Sequence, residues 1–97
     1  MATGMGTATI DFGSFPGTSE ASIAVTGQTT ISATSKAEAY MMADDTTAGH
    51  TAADHRYAAA LIGFTCGTPT AGTGFTIYGR ALDKMQGTFA LRFVWAD

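Results

Sequence analysis

The sequence predicts an all-β protein, a single antiparallel β-sandwich of about six to seven short strands. Three observations lead to this class. Short segments rich in β-branched and aromatic residues recur, turn residues separate them about every 8 to 12 residues, and the last segment alternates large apolar with small or polar side chains. The chain has 97 residues, so residues 1–97 are expected to form one domain.

The N-terminal half is expected to contribute four of these strands. In the second, Ile23 and Val25 share one face, and the third is rich in β-branched residues. The fourth also contains helix-forming residues, but charged side chains alternate with alanine in "KAEA", which favours a strand. The predicted strands are residues 7–12, 21–27, 28–34 and 35–43, with a Pro/Gly turn at 15–21.

The C-terminal half contains the clearest pattern. We expect a long connection at 44–54, a long strand at 55–67, a Gly/Pro loop at 68–74, and strands at 74–80 and 87–97. The last two strands, joined through "ALDKMQ", are predicted to pair as a hairpin in which Phe75 and Ile77 face the final strand. The core face of that final strand is predicted to be Phe89, Leu91, Phe93 and Trp95.

The composition points to an assembly protein. Charged residues make up 13% of the chain, against about 25% in an ordinary soluble domain. Thr, Ala, Gly and Ser take their place, so much of the surface is expected to be covered by neighbouring subunits. We therefore predict a homo-oligomer.

The charge also excludes classes of partner. The net charge is -3, and the five basic residues are scattered along the chain, which argues against nucleic acid and against anionic membranes. The longest apolar stretch, 57–64, is too short to span a bilayer, and the first ten residues lack the features of a secretory signal. The protein is expected to be made in a cytoplasm.

The stretch "GHTAADHRY" (49–57) holds the side chains best suited to chemistry. A spacing of five places His50 and His55 on neither one helical face nor one strand face, so it is not a metal signature. A weak surface cation and a transition metal are the minor alternatives. We expect a polar segment whose side chains bond to the backbone or to a neighbouring chain. Candidate contacts to a ligand or subunit are Tyr40, His50, Asp54, His55, Arg56 and Tyr57.

No motif indicates an enzyme. "HExxH", "GxSxG", a cysteine pair and the ligand pattern of an EF-hand are all missing, and the only cysteine, Cys66, is expected to be a small buried apolar side chain. The glycine-rich 67–75 lacks the Lys-Ser/Thr ending of a phosphate loop. We predict no catalytic residues, no metal and no cofactor.

Four segments together resemble small proteins encoded among bacteriophage structural genes: "TIDFGSFPG", "VTGQTTI", "GHTAADH" and "GTGFTIYGR...GTFALRFVWAD". The resemblance covers nearly the whole chain. The last 25 residues are also similar to the end of H-type lectin domains, although Trp95 lies one position nearer Ala96 than in that pattern. The lectin resemblance implies a six-stranded antiparallel sandwich that forms trimers, and no sugar-binding residue is carried over.

Two functional expectations follow. The first is a non-enzymatic virion structural protein, a trimer attached to the tail or decorating the capsid in contact with other virion proteins. The second is a carbohydrate-binding module of the phage particle that recognises host surface glycans through the candidate contacts.

Overall fold

The computed structural model describes residues 2–14, 17–41 and 52–97, without the side chains of residues 52 and 54. Within these residues the chain is mostly β, as predicted, with six strands and one short helix. The strands are β1 Thr3–Asp11, β2 Thr18–Val25, β3 Lys36–Met41, β4 Ile62–Cys66, β5 Phe75–Met85 and β6 Thr88–Ala96, and helix α1 is Ala52–Ala59.

The strands form two three-stranded antiparallel sheets. Sheet A has the order β1-β6-β3, and sheet B has the order β2-β5-β4. The central strands are therefore β6 in sheet A and β5, the longest strand with 11 residues, in sheet B, while β1, β2, β3 and β4 lie at the edges. Strand β1 packs beside β2, and β3 packs beside β4.

Both sheets contribute side chains to one apolar cluster. From sheet A, the face of β6 predicted from the sequence is confirmed, because its four large apolar side chains are all buried. From sheet B, Phe75 packs edge-on against Phe93 with ring centroids 5.4 Å apart. The cluster also holds Ile10, Phe12, Val25, Ile31, Ala58, Ile62, Ile77 and Ala81.

The predicted C-terminal hairpin is wrong. Strands β5 and β6 are consecutive, but β5 pairs with β2 and β4 while β6 pairs with β1 and β3. The aromatic contact between Phe75 and Phe93 joins side chains of two different sheets rather than neighbours in one sheet. Apolar alternation shows which side chains are buried, but it does not distinguish a strand partner from a strand across the core.

The predicted long strand at 55–67 is wrong in its first half. Residues 52–59 form helix α1, and only Ile62–Cys66 is a strand. The segment "AADHRYAA" is rich in alanine, the best helix former, and His55 and Ala58 are both buried, at the i, i+3 spacing of one helical face. The run of small side chains is therefore compatible with a helix as well as with a strand.

The predicted strand at 28–34 is also wrong. This segment is a loop with turns at 29–30 and 33–34. Ile31 is buried, as in a strand that packs on the core. However, the Ser35 hydroxyl accepts a hydrogen bond from the Ser32 backbone N–H at 3.1 Å, and this bond closes a turn. Serine side chains that bond to nearby backbone compete with a strand ladder, which accounts for the turn.

The remaining elements are close to those predicted. The strands expected at 35–43 and 87–97 are present as β3 and β6, and the loop at 68–74 is present. Strands β1, β2 and β5 each extend beyond the predicted segment, β5 by five residues through "ALDKM". Of the predicted connection at 44–54, residues 44–51 lie outside the described residues, and the prediction is wrong for residues 52–54, which begin helix α1.

Candidate functional site

The outer face of sheet B carries a groove of about 850 Å³. Side chains alternate along β5, so Phe75, Ile77 and Ala81 are buried while the intervening residues point outward. The outward side chains that line the groove are Glu20, Thr65, Tyr78, Arg80 and Leu82. Ala60 and Leu61, which follow helix α1, complete one wall.

Strand register places these side chains in two cross-strand rows. In the first row, Tyr78 lies between Ser22 of β2 and Thr65 of β4. In the second row, Arg80 lies between Glu20 and Gly63. The two rows are about 7 Å apart along β5, the repeat of two residues in a strand. An aromatic ring, two hydroxyls and a planar charged pair therefore share one face.

Two glycines shape this surface. A Cβ on Gly63 would approach other atoms no closer than 3.9 Å, the distance to the Arg80 carbonyl oxygen, so the absent side chain leaves open space in the groove. A Cβ on Gly67 would lie 3.2 Å from Cε2 of Tyr78, so the tyrosine ring leans over that residue. The tyrosine is thus supported on one side and remains 51% exposed.

The apolar part of the groove centres on Leu82. Its side chain is 85% exposed, the largest value among the exposed large apolar residues described. Of the described residues that line the groove, only Glu20 and Arg80 are charged, and their side chains form an ion pair with each other. An exposed pair of this kind contributes at most about 1 kcal/mol to stability, but it neutralises the charge of the surface.

His55, a predicted candidate contact, is a core residue. Its side chain is 0% exposed, and its ring lies edge-on against Phe89 with centroids 5.4 Å apart. The buried Ala90 N–H donates a hydrogen bond to His55 Nε2 at 3.0 Å. The expectation that an imidazole of this segment bonds to backbone is thus confirmed for His55, and burial removes its ring from any surface contact.

The other candidate contacts are divided among several places. Tyr40 lies on the outer face of sheet A, opposite Arg92 of β6. Arg56 and Tyr57 are exposed on helix α1, which packs beside β3. Asp54 belongs to the same helix, its side chain is outside the described part, and His50 lies outside the described residues altogether. The candidates that the structure describes are thus split between a sheet face, a helix surface and the core.

Comparison with protein-family models, curated proteins and solved structures gave no match.

The described residues include few groups suited to metal binding or to nucleophilic chemistry. Among them, no group of three or more His, Cys, Asp or Glu side chains lies close enough to hold a metal ion. Burial raises the pKa of the half-buried Cys66 thiol, and the negative charge of Glu38 raises it further. A thiol held protonated is a poor nucleophile, so Cys66 acts as an apolar side chain packed against the core. No helix in the described part of the chain is long and apolar enough to cross a membrane.

The groove is not foreseen from the sequence because the predicted strand ends too early. With residues 81–85 in a connection, Leu82 has no place on a sheet face. The alternation of Ile77, Gly79 and Ala81 with larger outward residues continues the strand pattern and could have revealed the extension.

Proposed function

We propose that this chain is a non-enzymatic structural module of a bacteriophage particle, a trimer attached to the tail or decorating the capsid. The observation that carries the proposal is the groove on sheet B, where Leu82 and Tyr78 present apolar surface next to a neutralised ion pair. The resemblance to small virion proteins supports the phage assignment. The two three-stranded sheets around one core support a single sandwich similar to H-type lectin domains.

The groove suits another copy of the chain. Burying apolar surface stabilises an interface by about 25 cal/mol per Å², and Leu82 is almost fully available for burial. A charged partner would gain little from a surface whose own charges are already paired. The chain itself, with 13% charged residues, offers the neutral complementary surface. A groove that accepts a different patch of its neighbour forms a closed ring when the contact repeats about a threefold axis.

The test is the substitution Leu82→Asp, with Thr30→Asp as the matched control. Both add one negative charge at an exposed position, but Thr30 lies in a turn between β2 and β3, outside the groove. Mass is measured by light scattering over a concentration series. We expect at least tenfold weaker self-association for Leu82→Asp and none of this loss for Thr30→Asp. Equal association of the two variants would contradict the proposed contact.

Carbohydrate binding is the second candidate function, and the row geometry of the groove favours it. Tyr78 can stack on the apolar face of a sugar ring, while Arg80 and Glu20 can each hold a pair of hydroxyls with two parallel hydrogen bonds. A glycan array probed with wild type and with Tyr78→Ala tests this function. Glycan-dependent signal that Tyr78→Ala abolishes would support it, and an array without signal for the wild type would exclude it for the glycans displayed.

A further inference from the structure

Strand β1 differs from the other edge strands. Strand β2 has a register shift between Thr18 and Glu20, β3 carries two charged residues, and β4 is only five residues long. These are devices that keep sheet edges from pairing with other chains. Strand β1 has nine residues in unbroken register with β6, no proline and no charged residue before Asp11. Among the described residues, no strand pairs with its other edge.

The hydrogen bonds of β1 show which backbone groups face that free edge. The Asp97 N–H donates to the Ala2 carbonyl at 3.0 Å, and the Phe12 N–H donates to the Gly87 carbonyl at 2.9 Å. In an antiparallel strand the direction alternates, so even-numbered residues bond towards β6. The N–H and C=O groups directed to the free edge are those of Thr3, Met5, Thr7, Thr9 and Asp11.

We infer that β1 is an interface for a second copy of this chain, which adds its own β1 antiparallel with Thr7 opposite Thr7. In this register each of the five outward-directed residues exchanges N–H and C=O with a residue that is also outward-directed. A shift of the register leaves some of these groups unpaired. Two three-stranded sheets then become one six-stranded sheet across a twofold axis.

The side chains of β1 are compatible with a copy of themselves. The single charged residue, Asp11, lies opposite Thr3 of the second copy, so no like charges meet. On the outer face, Met5, which is 70% exposed, lies opposite Thr9 and loses exposed apolar surface. The inner-facing Gly6 lies opposite Ala8, which allows close approach of the two strands.

A twofold contact through β1 is independent of a threefold contact through sheet B, and the two together would form a double ring of six chains. Blocking the β1 contact is therefore expected to halve the mass of the protein oligomer, whether the wild-type oligomer has two chains or six.

The first test compares Thr7→Pro with Thr7→Val. Proline removes the outward N–H of residue 7, which makes no bond to β6, so it is tolerated on an edge but blocks pairing. Valine keeps the N–H and the β-branched shape. We expect half the wild-type mass for Thr7→Pro and the wild-type mass for Thr7→Val, with unfolding midpoints close to that of the wild type. A monomeric wild type, or equal masses for the two variants, would overturn the inference.

Ala8→Pro provides an internal comparison for the assigned direction of the backbone groups. The N–H of residue 8 bonds towards β6, so its loss is expected to lower the unfolding midpoint of the protomer, unlike Thr7→Pro. Equal destabilisation by both prolines would show that the outward direction assigned to residue 7 is wrong.

Crosslinking tests the register. In a Cys66→Ala background, Thr7→Cys places two thiols at facing positions whose Cα atoms are about 5.5 Å apart. Thr9→Cys places them four residues apart along the strands, about 14 Å. A short bismaleimide is expected to link Thr7→Cys into dimers at least tenfold faster than Thr9→Cys. Equal rates would contradict the register, and loss of crosslinking in a Leu82→Asp background would assign the association to the groove instead.

Discussion

At the scale of single residues, His55 shows how a polar side chain can belong to the core. Among the described residues, the pairing of β3 with β6 runs as far as Met41 opposite Leu91, and Ala90 is the next residue of β6. Helix α1 lies beside this end of the sheet and supplies His55 Nε2 as the acceptor for the Ala90 N–H. The histidine thus supplies a side-chain acceptor to the backbone of β6.

We predict that His55→Ala lowers the free energy of unfolding by about 3 kcal/mol, because it leaves a buried N–H without an acceptor and opens a cavity. His55→Gln is the matched control, since Oε1 of glutamine can accept the same hydrogen bond, and its loss is expected to be about half as large. Urea unfolding followed by circular dichroism measures both. If His55→Ala lowers the free energy of unfolding by less than about 1 kcal/mol, the hydrogen bond from Ala90 to His55 does not stabilise the fold as proposed.

The pKa of Asp97 is set by the hydrogen bonds that its carboxylate accepts. Its carboxylate accepts hydrogen bonds from the Ser35 hydroxyl at 2.6 Å, the Ala2 N–H at 3.1 Å and the Ser32 hydroxyl at 3.2 Å. The bond from Ser35, followed by that from Ala2, lowers the pKa of Asp97 below its ordinary value. The ionised carboxylate ties the end of the chain to β1 and to the loop that follows β2.

Because the pKa of Asp97 is lower in the folded than in the unfolded chain, its ionisation stabilises the fold above the unfolded pKa of about 3.9. This contribution is lost as the pH falls through the folded pKa. We predict that wild type is more stable than Asp97→Asn at pH 7 and that the difference shrinks below about pH 4. Ser35→Ala is expected to raise the pKa of Asp97 measured by NMR. An unchanged pKa in Ser35→Ala would contradict the assigned cause.

At the scale of elements, strands β1 and β6 fit together through glycine. Gly4 faces Trp95 in the register of sheet A, and a Cβ on Gly4 would lie within 2.7 Å of three indole atoms. The indole is 3% exposed, and its Nε1–H donates to Gln28 Oε1 at 3.0 Å. The glycine therefore provides the space in which the tryptophan is buried and hydrogen-bonded.

We predict that Gly4→Ala displaces the indole and lowers the free energy of unfolding by about 1 to 3 kcal/mol, the cost of overpacking. Gly63→Ala is the control, because a Cβ there meets no atom closer than 3.9 Å and the loss of backbone freedom in the unfolded chain is expected to be neutral or stabilising. Trp95 is the only tryptophan, so its fluorescence reports the displacement directly. An unshifted emission spectrum in Gly4→Ala would contradict this explanation.

Among the elements, those with a clear alternation of side chains were predicted best from the sequence. The core face of β6 and the strand β3 are as expected, because large apolar or charged side chains alternate there with small ones. Helix α1 was missed because alanine-rich segments lack a distinctive period. The partner of β5 was missed because strand pairing depends on contacts that are distant in the sequence. The groove could not be predicted from the sequence for the same reason, because its two rows of side chains form only when β2, β5 and β4 pair.

At the scale of the whole molecule, the central proposal is that charge-poor surfaces serve self-association. The described structure presents two such surfaces, the groove around Leu82 on sheet B and the free edge of β1 on sheet A. They lie on different sheets and use different chemistry, apolar burial in one case and backbone hydrogen bonds in the other. Separate variants can therefore remove one contact without the other.

The most direct test of this proposal is the absolute mass of the wild-type protein in solution, measured by light scattering at micromolar concentration. The chain has a mass of 10.0 kDa. We predict a stable species of six chains if both contacts form, of three if the groove contact forms alone, and of two if the β1 contact forms alone. A protein that remains a monomer across the concentration series would contradict the proposal.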